Sequence, residues 1–255
     1  MSEGASARPA VARPARASDL LVRGVALACA AAGRGLPVGL ALRATSALPV
    51  ARGLGSSAAS LVAGALVADA LLGLGLGAAG AARLAATEEG HPDNAAPCAL
   101  GGAVLGLPRP DAPGGWAFTA LDVHPDVALA LAIPDFETST RRMRAALPAT
   151  LPFADAVRTA GKAAALVRGL ATADPACLSH ALDDVLHVPY RRALLPGYDA
   201  VVAAARAAGA FGATISGAGS TLLALAPRDR AVAVADAMAR AWRQTGVGTM
   251  GAIVE

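Results

Sequence analysis

The sequence predicts an α+β chain in two halves, and three observations carry that expectation. A glycine pair, Gly53 and Gly55, precedes two hydroxyls and a long run of helix formers from about Ser56 to Leu72, as where a tight loop enters a helix. A continuous apolar strand, Val127 to Ile133, opens a second half just beyond His124-Pro125. In that half another glycine-rich turn, around Ser216-Gly217-Ala-Gly219-Ser220, lies between two apolar strand-like runs.

Composition bounds the rest. With 255 residues, 55% of them hydrophobic and 16% charged, the chain can bury one large core or two modest ones and reads as globular and soluble. Lysine occurs once, as Lys162, so arginine carries nearly all the positive charge. The formal balance of +3 is too small, and its arginines too scattered, to argue for nucleic acid. Cys29, Cys98 and Cys177 lie far apart without a C-x-x-C pair, which argues against a disulfide framework or zinc site and suits a reducing cytosol. The longest apolar run, Ala58 to Ala86, contains Asp69 and Arg83 and is broken by Gly73, Gly75 and Gly77, so two helices and a turn are expected there and no membrane span.

Taken in order, residues 1–17 form an Ala, Arg, Ser and Pro segment with the single acid Glu3 and are expected to be disordered. Ser18-Asp19 is a plausible N-cap for a helix that stops at Gly33-Arg-Gly35. Val38 to Ala44 alternates weakly as a strand; the loop helix follows, then a helix from about Ala78 to Glu88 ending at Gly90. Ala103 to Leu107 and Trp116 to Leu121 flank a Pro- and Gly-rich hairpin loop. Beyond the boundary at His124-Pro125, a capped basic helix start at Thr138-Ser-Thr140 is stopped by Pro148, and helices are expected over Phe153 to Leu170, Asp174 to Leu186 and Asp199 to Ala208. A last helix, Asp229 to Arg243, and a terminal strand, Gly248 to Val254, close the chain.

Two stretches carry chemistry. In Pro49-Val50-Ala51-Arg52-Gly53-Leu54-Gly55-Ser56-Ser57-Ala58-Ala59, unpaired N–H groups at a helix start and the helix dipole suit an anion, while glycines let it approach the backbone. No lysine follows Gly55, which excludes a Walker A loop, and Ser46-Ala-Leu-Pro49 is a poor strand for a dinucleotide fingerprint. In a chain this rich in Gly and Ala, an accidental glycine pair before a helix also stays open. The second stretch, Glu88-Glu89-Gly90-His91-Pro92-Asp93-Asn94, crowds oxygen and nitrogen ligands into seven residues. Glu89 and a loop hydroxyl could hold a divalent cation, although such residues in a Pro-Gly turn are also ordinary solvated loop chemistry.

The first stretch resembles the loop of the GHMP kinases, Pro-x-x-x-Gly-Leu-Gly-Ser-Ser-Ala, and Ser216-Gly-Ala-Gly219-Ser220-Thr221 resembles their third motif with Ser220 in place of the usual proline, a change expected to loosen the turn. Glu89-Gly-His-Pro-Asp-Asn94, the Thr138 to Pro148 segment and Pro189-Tyr-Arg191-x-x-Leu-Leu-Pro-Gly197 are similar to the homoserine kinase branch. That resemblance implies a two-domain GHMP kinase fold: a ribosomal-protein-S5-domain-2-like, ATP-binding N-terminal half over 18–124, and a ferredoxin-like C-terminal half over 125–255. It implies ATP bound by Pro49 to Ala59, Mg²⁺ held by Ser57 and Glu89, and L-homoserine as the small-molecule substrate, contacted by His91, Asp93, Asn94, Arg191, Ser216 and Gly217. Glu89, Asn94 and Arg191 would carry catalysis. Asn94 falls where mevalonate and galactokinases carry an aspartate; an amide is no base, so direct attack by the acceptor hydroxyl is expected, with Asp93 as a rival base.

One departure stands beside this resemblance. Family members begin with a strand and a Ser-x-Asn-Leu-Gly-x-Gly-Phe-Asp-like loop that nothing in Met1 to Asp19 matches. The expectation is a start upstream of Met1 or a partial enzyme that binds ATP, phosphorylates homoserine poorly and associates, as a homodimer for example, through an open sheet edge. A sugar- or mevalonate-type kinase and a non-catalytic nucleotide-binding remnant are the alternatives.

Overall fold

The computed structural model describes residues 19–112 and 115–254. The expectations for residues 1–17 and for Ser18 lie outside the described residues. The chain divides into two units: the described residues up to Pro49 with Gly55–Leu121 make the first, and Val50–Leu54 with Asp122 onward make the second.

The first unit is built on helices. Asp19 caps α1 (Leu20–Ala31), its carboxylate accepting the Leu21 N–H at 3.2 Å. α2 (Ser56–Leu72) and α3 (Gly77–Glu89) follow, joined by a turn that Asp69 closes by accepting the Leu76 and Gly77 N–H groups at 2.9 and 2.8 Å. These bonds hold the Asp69 carboxyl below its usual range. A short α4 (Ala95–Leu100) and an antiparallel hairpin, β1 (Ala103–Pro108) with β2 (Trp116–Leu121), complete the unit. Its core is largely alanine, with Val25, Leu61 and Val62, and Trp116 and Phe118 of the hairpin pack against it.

Where α1 and α2 touch, each contributes a glycine. A Cβ on Gly24 would overlap the Leu61 carbonyl oxygen, and one on Gly64 would overlap that of Leu21. The two backbones are therefore in direct contact, a spacing that only glycine permits.

In the second unit, β4 (Gly212–Ile215), β5 (Leu222–Pro227), β3 (Val127–Pro134) and β6 (Thr249–Val254) form one antiparallel sheet in the order β4-β5-β3-β6. α9 (Tyr198–Ala207) and α10 (Ala231–Gln244) cover one face, where Ala130, Ala132, Ala224 and Ala226 meet Val201, Val234, Met238 and Trp242. On the other, Val127 and Leu225 pack with Leu166 and Leu170 from α6 (Phe153–Thr172), Leu178 from α7 (Pro175–Ala181) and Leu182, the C-cap of α7. Period-2 alternation along β3 puts Ala130 and Ala132 on the first cluster and Val127 and Leu129 on the second. Between β3 and α6 lies α5 (Thr140–Ala145), capped by Ser139; α8 (Val188–Arg191) runs into a single 3₁₀ turn, Arg192–Leu194.

Two expectations are corrected. Residues 38–44 form no strand: Val38-Gly39 is a turn, and the alternation instead lays Leu40 and Leu42 against the helical core without a partner ladder. The helix expected over Asp174 to Leu186 ends at Ala181, because the buried Lys162 ammonium donates to the His180 carbonyl and Asp183, and Asp184 starts a new turn by accepting the His187 and Val188 N–H groups at 2.7 Å. The ligand-rich loop turns helical immediately after Asn94, as α4. Replacing Gly64 by Ala is expected to destabilise the chain by about 1–3 kcal/mol through overpacking at the α1–α2 crossing, read as a lower thermal midpoint by calorimetry; an unchanged midpoint would show that the helices can part there without cost.

Candidate active site

In the first unit the site is built on the entrance to α2. Gly55 occupies the N-cap position in the left-handed region at φ 73°, and no side chain caps the helix. A 17-residue helix thus presents its first N–H groups and the positive end of its dipole without a side-chain cap from Gly55. A Cβ at Gly55 would lie 3.2 Å from Asn94 Oδ1, so the amide stands directly over the loop. Asn94 is the N-cap of α4 by position, yet its side chain makes no capping bond. Ala58 is fully buried in the core of the first unit.

Ser57 Oγ donates to Glu89 Oε1 at 2.5 Å, and Glu89 Oε2 is buried with no hydrogen-bond partner. A buried carboxylate oxygen without a donor suits a hard cation, and the two residues have the oxygen chemistry such an ion takes. Among the described residues no group of three His, Cys, Asp or Glu side chains is gathered as a metal cage. His91 Nδ1 pairs with Asp93 Oδ1 at 2.6 Å, which ties the Asp93 carboxylate to the ring.

The second unit holds the first half of the glycine loop. Three successive loop carbonyls are engaged there: Ala51 O by Thr138 N–H at 3.3 Å, Arg52 O by Thr221 N–H at 3.0 Å, and Gly53 O by Ser216 Oγ at 2.8 Å. A Cβ at Gly53, where φ is 72°, would overlap the Ser216 carbonyl oxygen. The Ser216 hydroxyl is therefore a support of the loop. Ser220 is fully buried and donates to the Phe136 carbonyl at 2.7 Å, so the serine in the proline's place pins the turn, contrary to the expectation that it loosens it.

Arg191 is buried, and α8 carries it. Its Nε donates to the Met143 carbonyl at 3.1 Å and its NH1 to the Gly217 carbonyl at 3.3 Å. Burial pushes the guanidinium below its usual value, an effect that the charge of Asp184 opposes. With Nε committed, a carboxylate can be met in a forked pair only through the two terminal nitrogens. Asp184, which caps the turn carrying Arg191, was not singled out from the sequence; an acid three residues before His187-Val-Pro is the signal that marks it.

Two family models match, the GHMP kinases N terminal domain over residues 19–102 and the GHMP kinases C terminal model over residues 164–244. The homoserine kinase of a Synechococcus strain is 47% identical over 215 residues, covering 84% of this chain and 70% of the relative. The chain belongs to the homoserine kinase family of the GHMP kinases. The family member from Gloeobacter violaceus is 49% identical over 207 residues, covering 81% of this chain and 68% of its own length. A crystal structure of homoserine kinase from Cytophaga hutchinsonii superposes with a TM-score of 0.80 at 28% identity, covering 95% of this chain and 78% of that one. The α+β fold expected from the sequence is thus the GHMP kinase fold.

The left-handed backbone at Gly55 and the nearness of Asn94 set a test. Gly55→Val is expected to abolish ATP binding by calorimetric titration while leaving circular dichroism unchanged; a folded variant with the original affinity would remove the glycine loop from the nucleotide site.

Proposed function

We propose that this chain is a cytosolic enzyme that transfers the γ-phosphoryl group of ATP to the side-chain hydroxyl of L-homoserine, giving O-phospho-L-homoserine, a step of threonine biosynthesis. The observation that carries the nucleotide part is the uncapped, glycine-preceded N-terminus of α2 with the Ser57–Glu89 pair beside it, in a member of the homoserine kinase family. Among the described residues no helix is long and apolar enough to cross a membrane.

The loop N–H groups and the N-terminal turn of α2 take the phosphates, a role their lack of a side-chain cap supports. Ser57 and Glu89 hold Mg²⁺, which when bound neutralises charge on the phosphates. Glu89 Oε2 is the oxygen available for it. Arg191 receives the substrate carboxylate on its terminal nitrogens, the recognition that an amino acid needs and a sugar does not. His91 and Asn94 orient the acceptor side, and Gly217 contributes through its carbonyl by holding Arg191. The hydroxyl attacks directly. Asn94 cannot take the proton, so we assign it to a phosphate oxygen, with Asp93, paired with His91, as the rival base.

ADP formation that depends on L-homoserine, followed in a coupled assay against mevalonate and galactose, tests the assignment; turnover with either alternative and none with homoserine would replace it. Arg191→Lys is expected to raise the KM for homoserine at least tenfold and leave the KM for ATP within about twofold, since an ammonium cannot fork onto a carboxylate. Glu89→Gln should lower kcat by orders of magnitude and raise the Mg²⁺ concentration needed for half-maximal rate, because an amide is a poorer ligand for a hard cation; normal rates at low Mg²⁺ would take Glu89 out of the metal site.

A further inference from the structure

Arg52 is the only charged residue in the glycine loop, and its position invites a reading as a phosphate ligand. Its geometry points elsewhere. The guanidinium Nε donates to the Pro134 carbonyl at 2.9 Å, NH2 to the Asp135 carbonyl at 2.6 Å, and NH1 to the Val50 carbonyl at 3.1 Å. NH1 also lies 3.3 Å from Glu137 Oε1. All three nitrogens are thereby engaged, and the side chain is only 14% exposed.

Apart from the Val50 carbonyl within the loop itself, the acceptors belong to one stretch, the end of β3 and the three residues after it. That stretch is itself fixed: Asp135 N–H donates to the Gly248 carbonyl, the Phe136 carbonyl accepts from Ser220, and Phe136 stacks edge-on against buried Trp242 at 5.9 Å. Arg52 reaches from the Gly-rich loop to the end of strand β3 and the residue after it. Its planar fork meets two successive carbonyls from one side, Pro134 through Nε and Asp135 through NH2, which a lysine ammonium cannot reproduce.

We propose that Arg52 is a positioning residue for the nucleotide loop: it holds the loop's first half on the strand end at Pro134–Asp135, setting the course along which Gly53 to Ser57 offer their N–H groups, and does not itself touch phosphate. This rests on the reading of the glycine loop as the ATP site. The rationale is geometric. Across a trans peptide the carbonyl of one residue and the N–H of the next point in opposite directions. With the carbonyls of Ala51, Arg52 and Gly53 each turned to a donor of the second unit, the N–H groups of Arg52, Gly53 and Leu54 face away from those donors. The Arg52 side chain is the longest arm of this arrangement and the one that reaches the sheet.

The test separates position from charge. Arg52→Lys keeps the positive charge and loses the fork; Arg52→Ala loses both. If Arg52 positions the loop, both variants raise the KM and Kd for ATP by about tenfold or more, the homoserine KM stays within about twofold, and the dependence of ATP affinity on ionic strength keeps its wild-type slope in Arg52→Ala. Should Arg52→Ala not fold, Arg52→Gln, neutral with a single amide group, takes its place in the same comparison. The proposal is overturned if the lysine variant keeps wild-type ATP affinity while the neutral variant loses it and flattens the salt slope, since that is the mark of a charge on phosphate. It is also overturned if the neutral variant binds ATP as the wild type does. Gly55→Val, measured alongside, tells the two failures apart: normal ATP binding there sinks the loop assignment itself, whereas lost binding there with an unaffected Arg52→Ala sinks the role of Arg52 alone.

Discussion

The arrangement on which the rest depends is the capture of three consecutive loop carbonyls, those of Ala51, Arg52 and Gly53, by Thr138, Thr221 and Ser216. A glycine-containing loop has many conformations available, and ordering each residue costs about 1–2 kcal/mol of backbone entropy. Charging that cost to folding means that a ligand does not meet it on binding, which is the advantage of a preorganised site. The captured carbonyls also explain why Val50–Leu54 groups with the second unit although the residues on both sides of it group with the first. A buried turn, pinned by Ser220, and a strand end stand behind this short segment.

Much of this was legible in the residues. The start and end of α2 follow from Gly55-Ser-Ser and Gly73, and α9, α10, β3 and the β1–β2 hairpin lie where periodicity and turn residues put them. The pairing of Ser57 with Glu89 answers to the motif that singled out both. Failures came where a local pattern met a non-local partner. Residues 38–44 alternate as a strand does, but alternation reports which side chains turn inward and not whether a ladder exists. Asp174 to Leu186 has helical period throughout, and what ends the helix early is Lys162, a residue on the preceding helix.

The partners of Ser216 and Arg52 were obscured for a related reason. A hydroxyl or guanidinium inside a binding motif is read from sequence as facing the ligand, because its chemistry suits one. The same chemistry suits a backbone carbonyl equally well, and a tightly folded loop has carbonyls that need donors. Glu89 differs, since one of its oxygens is buried with no donor among the described residues.

The alanine-rich composition has its own structural expression in the glycine contact of α1 with α2 and in the helical core of the first unit, where Ala outnumbers larger residues. Small side chains bury little area each, so elements must approach closely to exclude water, and the chain compensates with a few large residues such as Trp242, Met238 and Leu61. The same economy of residue types leaves Lys162 as the one lysine, held inside α6–α7 with only 8% of its surface accessible. Reagents and enzymes that acylate or cross-link ε-amino groups therefore find no exposed lysine target on the folded chain, and labelling at this residue would act as a reporter of the opening of α7 from α6.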